Sequence, residues 1–147
     1  MTTLEVKPLG DLTPHQWKRC SKLNAGDMGN MYDMMREQRY NPEALAILLR
    51  KGRGIVGWGL LIPTADLYSW WGMTYYARKT TKYNAQLWID EKHRRRGYGK
   101  IIMDEIQRRD PKPFVYPYDE HAGNFFADYR VSAWSEHREA NLKKRVA

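Results

Sequence analysis

Leu4, Val6 and Pro8 alternate with Glu5 and Lys7, a period of two that predicts a short opening strand. The stretch Thr13-Pro14-His15-Gln16 predicts a helix start. Thr13 can cap it, Pro14 suits the first helical position, and Gln16 completes a capping box. Trp17, Cys20 and either Ser21 or Asn24 mark its inner face, and Gly26 its end. From Asn30 the spacing of Met31, Met34 and Met35 predicts a second helix, closed by Asn41-Pro42, with the methionines serving as adaptable core packing.

Two apolar runs, Ala44 to Leu49 and Ile55 to Ile62, flank Lys51-Gly52-Arg53-Gly54 and read as a hairpin that Pro63 ends. The next stretch is aromatic and polar by turns, with Tyr68, Trp70, Trp71, Tyr75, Tyr76 and Tyr83. Such residues either cover a sheet face or shape a pocket wall. Ala85 to Asp90 reads as another strand. Gly97 to Arg109 reads as an amphipathic helix with Ile102, Met103 and Ile106 inward, Asp104, Glu105 and Arg108 outward, and Pro111 as its stop. Phe114 to Tyr116 is a short strand, His121 to Arg130 a helix with Phe125, Phe126 and Tyr129 inward, and Val131 to Trp134 a last strand. The charged tail from Ser135 carries no assignment.

That order predicts a single domain over 1–147 of the α/β class, in the α+β sense of a mixed central sheet flanked by helices. The sheet is antiparallel early and parallel around the crossover from Ala85 to Tyr116. A chain of 147 residues can bury roughly two thirds of its unfolded surface. Its 42% hydrophobic and 13% aromatic content excludes a disordered chain. One cysteine, Cys20, rules out an internal disulfide. No stretch predicts a signal peptide or a membrane span, so the expected location is the cytoplasm. His15, His93, His121 and His137 have no ligand spacing, and no metal site is expected. The net charge of +8 favours an anionic ligand or surface.

Chemistry concentrates in Leu87-Trp88-Ile89-Asp90-Glu91-Lys92-His93-Arg94-Arg95-Arg96-Gly97-Tyr98-Gly99-Lys100. Two glycines and the four cations Arg94, Arg95, Arg96 and Lys100 stand where a strand gives way to a helix. The amides of a helix's first turn point outward together with a partial charge of roughly +0.5, which attracts an anion. Without side chains at Gly97 and Gly99, phosphate oxygens can approach the main chain. Arg94, Arg95, Arg96 and Lys100 add charge-assisted bonds worth about 1.5 to 3 kcal/mol each when well formed. A diphosphate suits such a cradle.

The segment resembles the coenzyme A loop of the GNAT N-acetyltransferases, in which a strand is followed by Gln or Arg, two variable residues, Gly, one variable residue and Gly or Ala. Arg94, Gly97 and Gly99 occupy the three fixed positions, and Ile89, five before Arg94, stands where the family carries an aliphatic residue. The resemblance extends more weakly over nearly the whole chain and implies a GNAT-like fold with acetyl-CoA as cosubstrate and no metal. It implies that the main chain at Trp88, Ile89 and Asp90 pairs with the pantetheine arm, that Arg94 to Lys100, Tyr98 included, holds the diphosphate, and that Asn124 lies near the cofactor. Tyr129 is implied as the acid that protonates the departing thiolate.

The implied reaction is direct attack of a neutral amine on the thioester, with backbone donors polarising its carbonyl. Deprotonating a lysine-like amine at pH 7 costs about 4.6 kcal/mol, an α-amine only about 1. Asp90 and Glu91 are the candidate bases by position; either also suits a cap or a solvated carboxylate, and a water relay needs neither. The acceptor is left open among a protein lysine, an α-amine, a polyamine, an antibiotic and an aminoacyl-tRNA. Short members of the family pair through their late strands, so a homodimer is admitted. The rival reading is a non-catalytic basic domain that binds nucleic acid or an acidic protein through His93 to Arg96, Arg108, Arg109 and Lys143 to Arg145.

Overall fold

The structure is a computed structural model and describes residues 1–24, 35–64, 82–115 and 125–133. Its described elements are β1 (Thr2–Pro8), α1 (Pro14–Leu23), β2 (Leu45–Lys51), β3 (Gly54–Pro63), β4 (Tyr83–Ile89), α2 (Tyr98–Arg109), β5 (Phe114–Val115) and β6 (Ser132–Ala133). Hydrogen-bonded neighbours follow chain order. Contacts divide the chain into two compact units, Met1–Leu61 with Leu87–Glu105, and Ile62–Gln86 with Ile106–Ala147. The sheet is mixed, as the sequence predicts: β1, β2 and β3 pair antiparallel, while β4, β5 and β6 pair parallel.

In the first unit β1 pairs along its whole length with β2, from Thr2↔Lys51 to Pro8↔Leu45. The alternation at its start overstates burial, for Leu4 is 38% exposed. The hairpin forms where its apolar runs place it, with Gly52 in the left-handed region at φ 62° and a register shift between Leu49 and Arg50. β3 is buried from Ile55 to its end, which its unbroken apolar run requires, since only a strand covered on both faces can hide such a run. Leu48, Leu49, Trp58, Leu60 and Leu61 have no exposed surface. Each such side chain contributes about 1.5–3 kcal/mol by leaving water.

The capping box of α1 forms as read: the Gln16 N–H donates to Thr13 Oγ1 (3.1 Å) and the Thr13 N–H to Gln16 Oε1 (3.0 Å). The helix ends at Leu23, three residues before Gly26, because Asn24 has other work. Its buried amide accepts from Trp58 Nε1 (3.0 Å) and donates to Met35 Sδ (3.0 Å). Trp58 in turn stacks on Trp88 at 5.1 Å. Met35 is fully buried, the packing role expected of it. Met31 and Met34 lie outside the described residues.

In the second unit Asp110 does the organising. It is 6% exposed and its carboxylate accepts from the N–H groups of Lys82 (3.0 Å), Tyr83 (2.9 Å) and Lys112 (3.1 Å). The β4 strand thereby starts at Tyr83, two residues before the expected Ala85. Two sequence expectations are corrected here. Residues 127–130 are not helical, because the Tyr129 N–H bonds back to Phe126 O (3.0 Å) and tightens the turn. Glu105, read as outward, is 9% exposed and belongs to the buried face of α2. The aromatic positions 68–76, the stretch from Tyr116 to Asn124 and the tail from Trp134 lie outside the described residues.

Among the described residues no helix is long and apolar enough to cross a membrane, and no group of three or more His, Cys, Asp or Glu could hold a metal ion. Asn84 is 1% exposed, and among the described residues neither its Nδ2 nor its Oδ1 has a hydrogen-bond partner. An unpaired buried amide forfeits its hydration without return. Replacing Asn84 by Leu should therefore raise stability by about 1 kcal/mol, read as a higher urea midpoint at unchanged slope; a lower midpoint would show that the amide is satisfied in solution.

Candidate active site

The loop from strand to helix belongs wholly to the first unit. β4 ends at Ile89 and a short 3-10 turn, Glu91–His93, carries the chain onward. Close approach of β3 sets where this happens. A Cβ on Gly57 would lie 2.6 Å from Ile89 Cδ1 and 3.1 Å from Trp88 O, so only glycine lets the two strands and Ile102 of α2 come together there. The Asp90 N–H donates to Val56 O (2.8 Å), the last backbone bond before the chain leaves the sheet.

From Arg94 to Gly97 the backbone is irregular and exposed. Two residues adopt left-handed conformations, Gly97 at φ 79° and, unforeseen from the sequence, Arg95 at φ 65°. Such residues turn successive N–H groups to one side, the geometry of backbone anion nests. The first helical bond of α2 runs from the Ile101 N–H to Gly97 O (3.3 Å), which makes Gly97 the cap and leaves the amides of Tyr98 and Gly99 ahead of the intrahelical ladder. A Cβ at Gly97 would meet nothing within 4 Å. Open space beside Gly97 at the first turn of a helix is compatible with an anion such as a diphosphate.

The four cations divide. Arg94 folds back, its Nε donating to Ile89 O (3.4 Å), and Lys100 Nζ donates to Asp104 Oδ2 (3.0 Å). Arg95 and Arg96 are exposed and make no ion pair among the described residues. Exposed pairs contribute little, so the Lys100 ammonium is easily released to an incoming anion.

Asp90 sits in a network absent from the sequence reading. Its Oδ2 accepts from Arg19 Nη2 (2.9 Å), and His93 Nδ1 stands 3.4 Å away without forming a hydrogen bond. Partial burial pushes the Asp90 carboxyl up, but the Arg19 hydrogen bond, a Lys92 backbone bond and the charges of Arg19 and His93 outweigh it and hold the group below its ordinary 3.8. A carboxylate so held is a poor base. Glu91 is exposed in the first position of the 3-10 turn. Cys20 is buried, which pushes its thiol up to about 12 against the pull of Arg19, so it is no nucleophile.

Backbone directions bear on the main chain at Trp88, Ile89 and Asp90. Along a strand, successive residues turn their N–H groups to opposite edges. With the Asp90 N–H given to Val56 O, the N–H groups of Ile89 and Leu87 turn to the edge of β4 away from β3. Tyr129 belongs to the second unit, where its ring lies 5.2 Å from that of Phe125. Asn124 is outside the described residues.

The model of the acetyltransferase (GNAT) family matches residues 12–113, more than half of the 147. This chain belongs to the GNAT acetyltransferase family. Its chemistry is therefore acetyl transfer, and one family match runs through residues of both compact units. Among curated proteins none matches the sequence. Several solved structures are similar. One is the ribosomal-protein-alanine N-acetyltransferase from Brucella melitensis biovar Abortus 2308, 14% identical, with 100% of this chain and 91% of that chain covered and a TM-score of 0.45. Another is a GCN5-related N-acetyltransferase from Ralstonia eutropha JMP134, 12% identical, covering 100% and 92%, with a TM-score of 0.41.

Two outcomes follow for this GNAT loop. Gly97→Ala should lose about 1 kcal/mol in urea unfolding, since the penalty is that of a left-handed alanine and no neighbour resists the added methyl. An unchanged midpoint would show that the loop relaxes. Because the Asp90 carboxyl is depressed on folding, it stabilises the native state above its unfolded pKa, and this contribution disappears as pH falls through the folded value. Asp90→Asn should therefore destabilise at neutral pH and cost progressively less in acid; an equal loss at both would exclude the ion pair as its source.

Proposed function

We propose that this GNAT member, acting as one domain, transfers the acetyl group of acetyl-coenzyme A to a primary amine. The observation that carries the reading is the exposed loop Arg94–Lys100, with left-handed Gly97 opening onto free space at the start of α2. The amides of Gly97, Tyr98 and Gly99, with the side chains of Arg95, Arg96 and Lys100, would hold the diphosphate. Arg94 would brace the loop against Ile89. The outward amides of Leu87 and Ile89 would pair with the pantetheine arm.

When bound, the coenzyme supplies an acyl group activated as a thioester. The neutral amine forms the new N–C bond as the C–S bond breaks. The nitrogen's surplus proton passes to solvent, and the departing thiolate takes one up. Tyr129 is the proposed donor of that proton. Asp90, already committed to Arg19, leaves Glu91 or a water chain to take the proton from the ammonium form before attack. A weak base is enough for an α-amine, whose deprotonation at pH 7 costs about 1 kcal/mol.

Acetyl-CoA at about 100 times its dissociation constant should stabilise the protein by about 2.7 kcal/mol, seen as a rise in melting temperature. Stabilisation by an oligonucleotide with none by acetyl-CoA would replace this reading with that of a basic binding domain. Thiol release across α-amines, lysine peptides, polyamines and aminoacyl-tRNA should then single out the acceptor class. With the best acceptor, Tyr129→Phe should slow turnover by about 10²-fold or more if Tyr129 is the acid. Unchanged turnover would remove it from the mechanism.

A further inference from the structure

Arg19 is partly buried on α1 and bonds in two directions. Its Nε donates to Ile55 O in β3 (3.0 Å) and its Nη2 to Asp90 Oδ2 (2.9 Å). Asp90 is the residue at which the chain leaves the sheet. Its N–H is given to Val56 O (2.8 Å) and its carbonyl accepts from the His93 N–H (2.8 Å), closing the 3-10 turn. The His93 ring, whose Nδ1 stands 3.4 Å from the same carboxylate, stacks against the ring of Tyr98 at 6.2 Å. Tyr98 is the first residue of α2. A continuous set of contacts thus runs from α1 through Asp90 and His93 to the helix start. It touches both ends of the segment whose amides face outward.

A loop that carries two left-handed residues and little internal bonding loses ordering entropy when it closes on an anion, and anything that holds it beforehand recovers affinity. The fork of a guanidinium is suited to such holding, because one N–H fixes it to the sheet while another fixes the carboxylate in a set geometry that a flexible ammonium does not impose. The lowered pKa of Asp90, which favours its carboxylate form, agrees with the ion pair to Arg19.

We propose that Arg19 is a positioning residue for coenzyme binding, fixing the diphosphate loop through Asp90 and His93 without touching the coenzyme. The proposal rests on the acetyltransferase reading above and assigns that site a determinant on α1.

Calorimetric titration of the full chain tests it with two probes, acetyl-CoA and S-acetylpantetheine, which lacks the diphosphate. Arg19→Met should weaken acetyl-CoA about tenfold, or about 1.4 kcal/mol, and leave S-acetylpantetheine unchanged. Arg19→Lys should recover part of the loss. An unchanged acetyl-CoA affinity in folded R19M, or an equal weakening of both probes, would overturn the proposal, since a merely structural role predicts one of these. Should R19M fail to fold by circular dichroism, Asp90→Asn keeps the shape of the side chain and must show the same selective loss. Wild-type protein that binds no acetyl-CoA would instead sink the acetyltransferase reading itself, and this proposal with it.

Discussion

Backbone hydrogen bonding cannot be left unmet inside a protein, and between Asp90 and Ile101 this chain has to change partners. Up to Asp90 the strand is bonded to β3; from Ile101 the helix bonds to itself. The amides between belong to neither ladder. Those of His93 and Arg94 bond back within the 3-10 turn, and those from Arg95 to Gly99 lie where the helix behind them carries positive charge at its end. The rest of the first unit serves to hold this gap at a fixed place. Gly57 lets β3 and β4 approach, Ile102 packs beneath, and Arg19 ties the exit of the strand to α1.

Local signals were legible in the sequence because their causes are local. The box of Thr13 and Gln16 needs only three residues of chain, and the hairpin needs two apolar runs and a glycine turn. The spacing of Arg94, Gly97 and Gly99 encodes a backbone event over six residues. Each of these reads the same whatever the remainder of the fold does.

What the sequence hid depends on distance. Arg19 and Asp90 are 71 positions apart, so no pattern links them, and Asp90 read as a candidate base, a cap or a solvated carboxylate. The edge to which an amide points is decided by the neighbouring strand, as when Val56 takes the Asp90 N–H. Helical periodicity gave the axis of α2 but not the width of its covered face, hence Glu105. Arg95 is left-handed because the loop must turn, a demand that composition does not announce.

Cys20 offers a practical consequence. It is the sole sulfhydryl of the chain and has no exposed surface, so an alkylating reagent reaches it only in molecules whose first helix has lifted from its seat. The rate of alkylation then counts those openings without any introduced label. A chain with one shielded thiol thus carries its own gauge of local unfolding.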